Sequence, residues 1–191
     1  MELVCVEFLY EVATMSTHLA IPRIGHLQEL FHVFGYLKAN PKRKLVFDPD
    51  HPMVDKRQFK RYDWHNFYRG VREAIPGDMP TPKDNDVSTH CFVDVDLAGN
   101  SVQRRSQTGI LIFVNRSSII WYSKRQNTVE VSTFGNEITA MKNDIELIKA
   151  LRYKLWMFGV PVDCATNIFC DNEAVTRNCS DPTSTLNKKH H

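Results

Sequence analysis

The hydrophobic pattern changes period along the chain, and that change restricts the fold more than any other feature of the sequence. After Pro82, apolar and polar residues alternate at 93–97, and β-branched and aromatic runs follow at 110–114 and 119–122. Gly99-Asn100 and Asn115-Arg116 divide these runs, which predicts three consecutive strands in a meander. The period then becomes helical: Ile138, Met141, Ile145, Ile148, Leu151 and Leu155 recur at three- and four-residue steps and form one apolar stripe. Ser132 and Thr133 offer N-caps for this helix, while Gly159 followed by Pro161 stops it. A strand at 167–170 and a shorter helical turn from Asn172 complete a β-β-β-α-β-α order. A strand that returns after a long crossover helix lies parallel to its partner. The fourth strand is therefore expected beside the first, in a mixed α/β sheet.

Upstream the pattern differs. Residues 1–46 read as a helical segment: Ile21-Pro22 interrupts the chain, and Leu27, Leu30, Phe31, Phe34 and Leu37 then trace one amphipathic helix ending near Asn40-Pro41. Residues 47–87 are polar and irregular, with Pro52, Pro76, Pro80 and Pro82 and the basic cluster Lys56, Arg57, Lys60 and Arg61. They read as a connector with one short helix around 64–73. The third region, 88–191, holds the strands and the long helix.

Composition excludes several classes. With 42% hydrophobic and 24% charged residues, the chain is that of a soluble globular protein rather than a disordered one. A net charge of +2 identifies no nucleic-acid binder by itself. Five dispersed cysteines, with no C-x-x-C pair, argue against a disulfide framework and a zinc finger. With no signal-peptide pattern and no apolar run of spanning length, an intracellular location, cytoplasmic or nuclear, is expected, without a membrane partner.

The acids fall at places where chemistry can use them. Residues 92, 94 and 96 share one strand face, so Asp94 and Asp96 project together near the strand's end. Asp171 follows the last strand as the chain leaves the sheet. If these strands are parallel neighbours, Asp94 and Asp171 meet at their carboxyl ends, where open α/β sheets place ligands. Glu137 lies only about 35° from the centre of the helix's apolar stripe at about 100° per residue. It belongs to the buried face and should point at the sheet. Three such carboxylates raise one another's pKa, and a divalent cation relieves the repulsion. Magnesium takes hard oxygen ligands and phosphate oxygens, and a pair of ions suits hydrolysis of a phosphodiester.

The same residues carry a resemblance. Val93-Asp94-Val95-Asp96-Leu97-Ala98-Gly99 resembles the D-A-D-x-A-G element of the ribonuclease H domain of copia-type retrotransposons. In order, Arg104-Arg105-Ser106-Gln107-Thr108-Gly109 looks like R-R-S-x-T-G, Trp121-Tyr122-Ser123-Lys124-Arg125-Gln126 like W-x-S-K-x-Q, and Cys170-Asp171-Asn172 like C-D-N. His26 to Lys38 resembles the helix that closes the polymerase portion of the polyprotein. Single motifs of this kind are weak, but their order over about 150 residues is specific.

The resemblance implies a ribonuclease H-like domain at 88–191, truncated at its C-terminal end, preceded by a helical remnant of the reverse transcriptase C-terminal region at 1–46. It implies metal-dependent hydrolysis of the RNA strand of RNA–DNA hybrids, with Asp94, Glu137 and Asp171 as catalytic and metal-binding residues. Two Mg2+ ions are expected, with Mn2+ as a substitute. The expected partners are the hybrid and the remainder of the polyprotein. Arg104, Arg105, Lys124, Arg125 and Asn172 are candidate nucleic-acid contacts, and Asp96 and His190 candidate auxiliaries. No polymerase active site is expected in this chain.

Two departures from the family pattern bear on activity. Phe134-Gly135-Asn136-Glu137 stands where many relatives read T-E-A-E, and Lys188-Lys189-His190-His191 resembles an approach to a fourth acid that would come beyond residue 191. The alternative is thus a catalytically inactive remnant that keeps the fold and at most binds nucleic acid. An integrase-type relative would need a late helical Glu, and none follows Glu173.

Overall fold

The computed structural model describes residues 6–55, 57, 59–60, 62–71, 73–83, 85–97, 105–130, 132–162 and 164–184. A 3-10 turn at Val6–Phe8 leads into α1 (Leu9–Ser16), α2 (Ile24–Ala39) and the single helical turn α3 (His65–Tyr68). Then come β1 (Thr89–Asp96), β2 (Gln107–Val114), β3 (Ser117–Arg125), α4 (Thr133–Met157), β4 (Asn167–Cys170) and α5 (Glu173–Ser180). The β-β-β-α-β-α order and the mixed α/β class expected from the periodicity are those observed. The sheet runs β3-β2-β1-β4, with β1–β2 and β2–β3 antiparallel and β1–β4 parallel.

Alternation along β1 sends Cys91 and Val93 to one face, where they join Ile110, Ile112, Ala140, Met141, Ile148, Leu151 and Val175 in the core between sheet and helices. Phe92 and Asp94 take the opposite face. The buried face of α4 differs from the expected stripe at one point. Ile145 is 39% exposed, whereas Asp144 beside it is fully buried. One residue is a rotation of about 100°, so the helix has turned an acid rather than an isoleucine onto the sheet. The Cys91 thiol donates to Asp144 Oδ1 at 2.6 Å, while Oδ2 has no partner.

The helix expected around 64–73 is only four residues long, because Arg69 (φ 44°) and Gly70 (φ 79°) turn left-handed and end it. At the start of the chain α1 adds a second helix that the periodicity had not separated. The apolar stripe of α2 is partly uncovered: Leu30 and Leu37 are half-buried, but Leu27, Phe31 and Phe34 are exposed, Phe31 at 63%.

The connector is irregular yet attached. Arg152, buried on α4, donates to Glu73 Oε2 at 2.7 Å and to the Cys164 carbonyl at 2.8 Å. At the β2–β3 turn Asn115 adopts φ 53°, a conformation asparagine tolerates better than other non-glycine residues. Its Oδ1 accepts from Ser88 N–H at 2.9 Å and its Nδ2 donates to the Pro49 carbonyl at 2.7 Å. Asn115→Ala is expected to cost about 2 kcal/mol through these lost bonds and the left-handed backbone. A lower urea midpoint would show it; an unchanged midpoint would mean that the turn does not hold the connector.

Candidate metal and catalytic site

The last register pair between the parallel strands is Val93↔Cys170, so Asp94 and Asp171 come next on neighbouring strands at the same end of the sheet. The third acid arrives from α4. Ser132 caps that helix by accepting from Gly135 N–H at 3.1 Å, the N-cap anticipated from the sequence. Gln126, buried just past β3, donates to Thr108 Oγ1 at 2.9 Å and to the Asn136 carbonyl at 3.0 Å. These bonds pin the first turn of α4 to β2, one residue before Glu137. At Gly135 an added Cβ would stand 2.9 Å from Oε2 of Glu130. The carboxylate of the preceding loop occupies that space.

Glu137 is 7% exposed. Burial, followed by the carboxylates of Asp171 and then Asp94, pushes its pKa up to about 7. Single ligand atoms of Glu137, Cys170 and Asp171 lie within 4.8 Å of one another. Asp94 stands outside this tight group, although its charge still acts on Glu137. It is exposed, and its Oδ1 accepts from the Val95 N–H at 2.7 Å. No lysine or arginine among the described residues forms an ion pair with any of the three carboxylates. The arrangement is a recess of carboxylates that offers hard oxygen donors with no ion-paired lysine or arginine among the described residues, which fits divalent metal binding.

Over 181 residues, 95% of its length, the chain is 28% identical to the retrovirus-related Pol polyprotein from transposon RE2 of Arabidopsis thaliana, and 23% identical to that from transposon RE1. The chain is similar to a stretch of retrotransposon Pol polyprotein. It spans about one tenth of the length of these Pol relatives. No protein-family profile matches the chain, and no solved structure does.

The other candidate residues of this Pol-like stretch take varied positions. Asp96 shares a face with Asp94 and accepts from Tyr10 of α1 at 2.8 Å; that bond, more than burial, raises the Tyr10 pKa. Asp96 pairs with Gln107 and Gln107 with Arg125, so Arg125 reaches the acid end of the sheet on the same face. Lys124, exposed, is its neighbour on β3 and faces the other way. Arg105 is half-buried just before β2. Asn172 caps α5, its Oδ1 accepting from Val175 N–H at 3.2 Å, so one end of its amide serves the fold. Arg104 and His190 lie outside the described residues.

Three residues escaped the reading of acids alone. Gln126 and Cys170 figured only as letters of motifs, and Tyr10 not at all. For Cys170 a signal existed. A thiol directly before the strand-ending acid must face the helix if that acid lies at the strand's edge.

Proposed function

We propose that residues 88–191 form a ribonuclease H-like domain of a copia-type Pol polyprotein, and that the domain hydrolyses the RNA strand of RNA–DNA hybrids. In this reading residues 1–46 derive from the end of the reverse transcriptase and 47–87 connect the two. The observation that carries it is the buried Glu137 carboxylate facing Asp171, with Asp94 on the adjoining strand, at the carboxyl ends of β1 and β4, with no lysine or arginine among the described residues ion-paired to them. The residue order and the similarity to Pol polyproteins along 95% of the chain support it.

Asp94, Glu137 and Asp171 would hold two Mg2+ ions. Such ions supply an activated water and positive charge at the scissile phosphodiester. Asp94 and Asp171 are exposed and face the side from which substrate arrives, while Glu137 closes the recess from behind. Gln126 keeps Glu137 in register by fixing the turn before it. Arg125 lies on the same sheet face as Asp94 and Asp96 and is the best-placed contact for a hybrid's phosphates. Among the described residues no helix is long and apolar enough to cross a membrane.

The test is incubation of the purified chain with a labelled RNA–DNA hybrid and Mg2+. Internal RNA cuts bearing 3′-hydroxyl and 5′-phosphate ends, abolished by chelation, are the expected result. If Mg2+ binds but the hybrid stays intact, the second reading stands: a folded remnant without turnover.

A further inference from the structure

We propose that Glu137, Cys170 and Asp171 form a site for a thiophilic divalent cation of the Zn2+ and Cd2+ class, with a donor set different from the all-oxygen set that Asp94 would complete. The placement follows from strand parity. Phe169 stacks on Phe92 at 4.9 Å on the outer face of the sheet, so Cys170 points the other way, toward α4, and its Sγ lies 3.8 Å from Glu137 Oε2. One donor from each of the three residues falls within 4.8 Å of the other two.

A second observation points to a cation. Glu137 is more than nine-tenths buried, and among the described residues the Cys170 thiol is its only hydrogen-bond partner. A long contact to sulfur satisfies a buried carboxylate poorly. Ligands of a tetrahedral zinc, with metal–sulfur and metal–oxygen distances near 2.3 and 2.1 Å, stand roughly 3.5 Å apart. The three donors therefore need to close by only about an ångström around an ion, and Asp171, exposed at the strand end, opens the way in.

Binding exchanges one bond for another. The S–H bond of Cys170 breaks, a sulfur–metal bond forms, and the proton passes to solvent. Mg2+ does not drive this exchange, because it prefers oxygen and retains its waters; a soft ion does. On the nuclease reading, a soft ion would take Glu137 and Asp171 away from the Mg2+ set and act as a reversible inhibitor. The binding itself does not depend on that reading.

The experiment titrates the full chain, carrying Ser at positions 5, 164 and 179, with Cd2+ alone and follows the ultraviolet thiolate-to-cadmium charge-transfer band. One Cd2+ per chain is expected. Cys170→Ser should abolish the band with an unchanged far-ultraviolet dichroism spectrum. Asp171→Asn, at an exposed position, should weaken binding by at least about tenfold, a loss that even an outer-shell partner can cause. A band that persists in Cys170→Ser, or an affinity untouched by Asp171→Asn, overturns the site. In the cleavage assay, Cd2+ should inhibit the parent chain and spare Cys170→Ser; a chain that binds Cd2+ but cleaves nothing counts against the nuclease and not against the cation site.

Discussion

Glu137→Gln is expected to lower Mg2+-dependent hybrid cleavage by about a thousandfold or more, a loss near 4 kcal/mol of transition-state stabilisation. The substitution keeps the side chain's shape and leaves an oxygen able to accept from the Cys170 thiol. It removes the one charge that the recess holds away from water. The carboxylate is strongly disfavoured there, its pKa lying at about 7 instead of 4.5. The amide therefore relieves the fold as it disables the site. The sign is definite: a raised acid pKa stabilises the folded state below the unfolded value of 4.5 and loses that contribution as pH rises through about 7. Glu137→Gln should accordingly be at least as resistant to heat as the parent at pH 8 in the absence of metal. Asp96→Asn serves as the control, since Asp96 is exposed and engaged with Tyr10; only a few-fold change is expected. Cleavage by Glu137→Gln at the parental rate would remove the catalytic assignment.

What the sequence disclosed depended on how local each determinant is. The parallel return of β4 beside β1 was legible because strand period, crossover length and handedness leave few alternatives. The cap Ser132 was legible because it makes its bond within three residues. Glu137 could be placed on the buried face from angle alone. The same angular reasoning failed at Asp144, since a stripe drawn from apolar residues skips an acid and takes in Ile145. The rotation of α4 on the sheet is decided by contacts such as Cys91 with Asp144, which lie 53 positions apart. The connector's attachment through Asn115 and Arg152 is likewise long-range. Asp94 stands outside the tight group because strand parity sends it, with Phe92, to the face of the sheet away from α4, where its carboxylate accepts from the Val95 N–H. A pattern of acids carries no such detail.

Asp144→Asn provides the sharpest reading of the core. Asp144 is fully buried, with one oxygen on the Cys91 thiol and the other without a partner. Burial pushes its pKa from 3.8 up to about 6, partly opposed by the thiol's hydrogen bond. Folding therefore favours the protonated acid: the contribution is complete below pH 3.8 and is lost as pH rises through about 6. The gap corresponds to about 3 kcal/mol. Asparagine keeps the volume and carries no charge. Glu137 and His90, whose pKa burial lowers, titrate in overlapping windows, so the informative quantity is the difference between parent and variant at each pH. That difference is expected to move by about 3 kcal/mol in favour of Asp144→Asn between about pH 3 and pH 8. At this chain length it corresponds to roughly 6–12 °C in melting temperature. Any fixed penalty for the new amide shifts the whole curve without changing this span. A difference that stays constant across the range would mean that Asp144 reaches water and that α4 sits on the sheet in another rotation.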